Sequence, residues 1–80
     1  MIVSMNSNAS TWTKSTLRWP GLPGTVHAER RSLPGGRFVA VLRHGGGWRW
    51  LARAASGCWN GMAQTRAAAM TAALYAGEVC

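Results

Sequence analysis

Acidic residues are nearly absent from this chain of 80 residues. Glu29 and Glu78 are the only carboxylates, against nine lysines and arginines, and the formal net charge is +7. The two carboxylates fall in different predicted elements, so general acid–base chemistry by a carboxylate pair is not expected. His27 and His44 have no Cys, Asp or His nearby at ligand spacing, and a metal site needs three or four converging donors. We therefore expect no enzymatic activity, no metal site and no cofactor.

Cysteine is also scarce. Cys58 and Cys80 are the only two, and they are far apart in the sequence, which does not fit a disulfide framework or a zinc motif. The neighbours of Cys58, Gly57 and Trp59, carry no charge that would activate its thiol. The sequence predicts free thiols.

Long apolar runs are missing as well. The longest tract, residues 67–76, is far shorter than the ~20 residues that span a bilayer. Polar residues follow the first three positions at once, so the apolar stretch there is too short for a signal peptide. We expect an intracellular protein that does not interact with a membrane.

The chain is long enough for one small domain. Residues 1–15 are rich in Ser, Asn and Thr, and we expect a flexible N-terminal segment there, with Trp12 as its one large apolar side chain. Residues 16–80 then form a single α+β domain. Within it, the sequence RWPGLPG at 18–24 predicts an irregular loop, and residues 25–32 predict a strand that the turn sequence LPGG joins to the next one.

Residues 37–55, RFVAVLRHGGGWRWLARAA, predict a β-hairpin. If all three glycines 45–47 form its loop, Leu42 lies opposite Trp50 and Phe38 opposite Ala54, which gathers the large apolar side chains on one face. A register shifted by one residue would mix the two faces. The other face would then carry a basic and aliphatic set: Arg37, Val39, Val41, Arg43, Arg49, Leu51 and Arg53.

Residues 64–76, QTRAAAMTAALYA, have the highest helix propensity in the chain. Thr65 is the expected N-cap and Gly77 the expected C-cap. The spacing predicts that Ala63, Ala67, Met70 and Leu74 lie on the sheet. The expected fold is a small antiparallel sheet of about three strands with one C-terminal helix packed on its apolar face.

The basic and aliphatic set is the expected partner-binding surface. In the expected register Arg43 opposes Arg49, and opposed like charges on a sheet repel, which indicates an acidic partner. Its aliphatic centre and arginine rim are typical of a protein interface. A second copy of the chain covering this centre is left open. Three tryptophans in loop-like sequence have two open interpretations, as partner contacts or as covers of the core: Trp12, Trp19 and Trp59.

Two resemblances suggest functions. Over residues 25–77 the outline of strands and helix resembles the small sheet-based DNA-binding modules at the start of phage integrases, which implies direct DNA or RNA binding. A compact chain without a catalytic set, with a short sheet and the alanine-rich segment TRAAAMTAAL at 65–74, looks like the anti-CRISPR proteins of phages and mobile elements.

The second resemblance implies a stoichiometric inhibitor in the cytoplasm of a bacterial host. It would dock on an acidic surface of a CRISPR effector complex and block nucleic acid binding, with Arg37, Arg43, Arg49 and Arg53 contacting carboxylates. We prefer this hypothesis because the expected surface has an aliphatic centre and because Lys14 is the only lysine. Direct binding of DNA or RNA by the same sheet face is the alternative.

Overall fold

The computed structural model describes residues 12–55 and 57–79. Most of the predicted flexible segment, residues 1–11, lies outside the described residues, as does Cys80. The described chain forms five strands and one helix: β1 (Thr13–Arg18), β2 (Thr25–Leu33), β3 (Arg37–His44), β4 (Gly47–Ala54), β5 (Gly57–Ala63) and α1 (Arg66–Val79). A single 3-10 turn at Pro34–Gly36 joins β2 to β3, where the LPGG sequence predicted a turn.

The strands form one antiparallel sheet in the order β1-β2-β3-β4-β5, so every strand pairs with its neighbour in sequence. Helix α1 packs against β3, β4 and β5. The expected α+β class, with a C-terminal helix on an antiparallel sheet, is confirmed. The sheet has five strands rather than about three, because residues 13–18 and 57–63 form two further strands, β1 and β5, at its edges.

The expected hairpin register is wrong by one residue. His44 pairs with Gly47, Val41 with Trp50 and Phe38 with Arg53, so only Gly45 and Gly46 form the loop. Gly45 has a φ of 65°, which the first central position of a primed two-residue turn requires. Such turns match the twist of the flanking strands, and the third glycine therefore joins β4.

This register gives the sheet two covered faces. On the side toward α1, here called the helix face, Val39 and Ala52 pack with Ala73 and Ala76, and Trp50 lies beside them. On the other side, here called the loop face, Ala40, Leu42 and Leu51 pack with Trp19, which follows β1. The centre of β3 is consequently buried on both faces from Val39 to Leu42.

The helix begins where the sequence predicted. The hydroxyl of Thr65 accepts a hydrogen bond from the backbone N–H of Ala68 at 3.1 Å, which confirms Thr65 as the N-cap. Within the described residues, no helix is both long and apolar enough to cross a membrane.

The expected C-cap is wrong, and the expected buried stripe of the helix is correct only in part. Gly77 lies inside α1 and is buried, and the side chains that face the sheet are those of Ala69, Ala73 and Ala76. Of the expected stripe, Ala63 lies in β5 and Ala67 is exposed. Met70 is half-buried, and half-buried Leu74 packs on the cluster of the helix face as expected. Small side chains on this stripe allow the helix to approach a sheet that already carries Trp50.

Candidate nucleic-acid interface

The structure does not bring the seven predicted partner-binding residues onto one face. Because side chains alternate along a strand, the observed register divides them between the two sides of the sheet. Val39, Val41 and Leu51, the aliphatic centre of the expected surface, are at most 1% exposed and belong to the core. The prediction of an interface with an aliphatic centre on this sheet is therefore wrong. The helix face receives Arg37, Val39, Val41 and Arg43, and the loop face receives Arg49, Leu51 and Arg53.

Arg37 holds the helix onto the sheet. Its Nε donates to the carbonyl oxygen of Pro34 at 2.8 Å, and its Nη1 donates to the carbonyl oxygen of Gly77 at 2.6 Å. A cation bonded to a carbonyl in the last turn of a helix also interacts favourably with the helix dipole. Both contacts lie within the fold, so Arg37 has a structural role.

The arginines of the loop face have different surroundings. The guanidinium of Arg30 lies 4.1 Å from the centre of the Phe38 ring, a cation–π contact. Arg49 is half-buried and its Nε is buried without a hydrogen-bond partner among the described residues, whereas Arg53 is exposed. On this face Arg53 is the predicted residue that is free to meet a partner.

The three candidate loop tryptophans also differ. Trp19 is 3% exposed and fills the core of the loop face, and Trp12 is half-buried against the cluster beneath α1. Trp59 is 41% exposed on β5. Covering the core is thus the role of Trp19, while Trp59 remains available to a partner.

A groove opens where the two halves of the sheet separate. The pairing of β2 with β3 ends at Glu29 and Val41. Beyond that point β1 and β2 stay paired up to Arg18 and Thr25, and β3 and β4 stay paired up to His44 and Gly47. The two hairpins therefore diverge, and the space between them has a volume of about 550 Å³.

The groove has basic walls and an aromatic side. Lys14 on β1 and His27 on β2 are exposed on one wall. Arg43 on β3 is exposed on the other wall, next to its cross-strand partner on β4, the half-buried Trp48. Alternation along the strands places these side chains on the helix face, beyond the part that α1 covers. Cations and an exposed aromatic surface thus share one open space.

The one carboxylate in the groove is already paired. Glu29 accepts two hydrogen bonds from Arg66 at the start of α1, from Nε at 2.6 Å and from Nη2 at 2.7 Å. The hydrogen bond from Arg66 is the largest cause that lowers the pKa of Glu29, and the charges of Arg66 and Lys14 add to it against a smaller effect of burial. Glu29 therefore stays ionised; its hydrogen bonds go to Arg66, and it interacts with its cross-strand partner Lys14 through charge alone.

Sequence reasoning found Arg43 but missed Lys14, His27 and Trp48 as members of a site. It placed Lys14 in the flexible segment, and the wrong register placed Trp48 in the core of the other hairpin face. One signal was present: the run FVAVL at 38–42 is continuously apolar, which is typical of a strand buried on both faces. A strand of that kind would have removed Val39 and Val41 from the expected surface.

No group of three or more His, Cys, Asp or Glu side chains that could hold a metal ion occurs in the part of the chain that the structure describes. Comparison with known protein families, with curated proteins and with solved structures finds no match.

Proposed function

We propose that the protein binds single-stranded nucleic acid in the groove between its two hairpins. The observation that carries the proposal is that Trp48, its cross-strand partner Arg43 and, on the facing wall, Lys14 line one open space. Proteins that bind single strands combine a basic groove, which follows the backbone, with aromatic side chains on which bases stack. The groove offers both components within one small volume.

The size of the groove favours a single strand over a duplex. A space of about 550 Å³ is comparable to the pockets that hold one small organic molecule, and a nucleotide is of that size. A base stacked on Trp48 places its phosphates toward the rim, where Lys14 and Arg43 can contact them. The net charge of +7 adds a longer-range attraction for any nucleic acid.

A second proposal is an anti-CRISPR-like inhibitor that docks on an acidic surface of a CRISPR effector complex. One observation supports it: Arg66 shows how a guanidinium of this chain contacts a carboxylate through two hydrogen bonds. Arg43 and Arg53 are exposed, and neither has an ion pair among the described residues. The buried aliphatic residues, however, remove the reason for preferring this function over nucleic acid binding.

The test measures fluorescence anisotropy of a labelled 15-nucleotide oligo-dT titrated with the protein. We expect Arg43→Gln and Lys14→Gln each to weaken binding several-fold. The matched control is Arg53→Gln, which removes the same charge from an exposed position on the opposite face of the sheet, and it should bind within about twofold of the wild type. Equal losses in Arg43→Gln and Arg53→Gln would assign binding to diffuse charge and contradict the groove.

A second arm of the test separates stacking from charge. Trp48→Leu removes the aromatic surface and keeps an apolar side chain, and base–aromatic stacking is worth about 1–3 kcal/mol per base. We expect at least a fivefold loss of oligo-dT affinity with an unchanged circular dichroism spectrum. Tighter binding of a duplex of equal length would overturn the single-strand proposal. If the protein binds neither oligo-dT nor the duplex but does bind a CRISPR effector complex, the result would support the inhibitor instead.

A further inference from the structure

The two edges of the sheet are built differently. Strand β1 carries Lys14 and Arg18, and charged side chains on an edge strand oppose pairing with another chain. Strand β5 is the other edge and reads GCWNGMA, with no charged residue and no proline in seven positions. In a chain with a net charge of +7, β5 is the edge that lacks the usual protection.

Apolar side chains on β5 are also exposed. Trp59 is 41% exposed and Met62 is 69% exposed, and the thiol of Cys58 is free and exposed. Unpaired edges with exposed apolar side chains are the surfaces through which a strand of another molecule adds to a sheet. The feature thus points to a strand as the partner.

We infer that β5 pairs antiparallel with β5 of a second copy, about a two-fold axis at Asn60. This register is the one in which all seven residues of β5 find a partner, because Asn60 is the middle residue of Gly57–Ala63. It joins two five-stranded sheets into one, with both α1 helices on the same side. The inference does not depend on the proposed function.

The side chains of β5 are complementary to themselves in this register. Cys58 comes opposite Met62 of the second copy, and Trp59 comes opposite Gly61. The space above Gly61 is bordered by the ring of Trp50 in its own chain, since a Cβ atom there would lie 2.7 Å from that ring. In this register Trp59 of one copy and the Trp50 ring above Gly61 of the other lie on the same face of the joined sheet, and aromatic side chains that are neighbours across strands stabilise pairing.

Charge favours a second copy over an acidic strand. An acidic partner strand would find no cation on β5, whereas an uncharged edge suits an uncharged edge. The nearest arginines, Arg49 and Arg53, lie on β4. In the dimer the arginines on the two β4 strands are separated by both β5 strands, which is three strand spacings or roughly 14 Å. At moderate salt that distance exceeds the screening length, so repulsion between them is weak.

The first experiment measures mass by size-exclusion chromatography with light scattering. The wild type should elute as a dimer of the 8.6 kDa chain at micromolar concentration. Asn60→Lys places two cations opposite each other at the axis and should give a monomer. Thr71→Lys is the matched control, since it adds the same charge at an exposed position of α1, and it should remain a dimer.

The second experiment tests the register by disulfide cross-linking. In a background with Cys58→Ser and Cys80→Ser, the substitution Asn60→Cys places two thiols opposite each other, and mild oxidation should give a covalent dimer on a non-reducing gel. Thr71→Cys in the same background should stay monomeric on the gel. A monomeric wild type at 100 µM, a dimer that survives Asn60→Lys, or equal cross-linking at positions 60 and 71 would each overturn the inference.

Discussion

The indole ring of Trp50 occupies the space in which a side chain on Gly61 would stand. A Cβ atom built on Gly61 would lie 2.7 Å from the ring, closer than real Cβ atoms approach other heavy atoms. The two residues are partners across β4 and β5. The absence of a side chain at Gly61 thus sets the position of the Trp50 ring beneath α1.

Gly61→Ala should therefore lower the free energy of unfolding by about 1–3 kcal/mol, because the added methyl group must displace a half-buried ring. Urea denaturation followed by far-UV circular dichroism measures the change. Gly46→Ala is the control: no atom lies within 4 Å of its Cβ position and its φ is not left-handed, so we expect a neutral or slightly stabilising effect. A loss of equal size in both variants would contradict the packing argument.

Gly77→Ala should also destabilise the protein, although alanine is the better helix former by about 1 kcal/mol. Its Cβ would lie 2.8 Å from Cδ1 of Leu33 and 3.0 Å from Cγ1 of Val39. The cost should be smaller in a Leu33→Ala background, which gives the methyl group room. A double-mutant cycle from urea melts measures this coupling, which we expect to be at least about 0.5 kcal/mol. Additive effects would show that the helix moves instead.

The Glu29–Arg66 pair should make stability depend on pH at the acid end. Because the pKa of Glu29 is lowered in the folded state from 4.5, the pair stabilises the protein fully above about pH 4.5 and loses this effect as the pH falls through the lowered pKa. Thermal melts between pH 7 and pH 2 should show a smaller fall for Glu29→Gln than for the wild type. Arg66→Gln should behave alike, and the double variant should add nothing further. A wild-type slope in Glu29→Gln would assign the acid sensitivity to other groups.

The salt dependence of oligo-dT binding should count the phosphate contacts of the groove. Each contact contributes a slope of about −0.7 in a plot of log affinity against log salt concentration for a single strand. Arg43→Gln should make the wild-type slope shallower by about that amount, whereas Trp48→Leu should lower affinity with no change in slope. Anisotropy titrations between 50 and 200 mM NaCl measure both. A shallower slope in Trp48→Leu would show that its loss of affinity is not due to stacking alone.

The sequence predicted the local elements well, because their signals are local. The alanine-rich helix, its Thr65 cap and the turn at Pro34–Gly36 each depend on a few adjacent residues, and all three are present. The strand pair around the triple glycine was also correct as a hairpin. Its register was not, because the sequence GGG fits a loop of two residues or of three, and the difference is decided by turn geometry.

The candidate site could not be predicted because it depends on contacts between distant elements. The groove exists where β2 and β3 stop pairing, and no local pattern marks that point. Glu29 pairs with Arg66 across 37 positions of the sequence, and no local pattern indicates that pair. The burial of Trp19 depends in the same way on strands that come later in the chain.

The order of the strands also has a consequence for how the molecule assembles. Each strand of the sheet can pair with the one made just before it, so a chain emerging from the ribosome can add hairpin after hairpin with little loop-closure entropy. Among the described elements, α1 is the one that packs back onto strands made much earlier, where it covers Val39 and Ala52. Until that helix has been synthesised, the apolar helix face of the nascent sheet is exposed to solvent. We expect the chain to be most prone to aggregation during that interval.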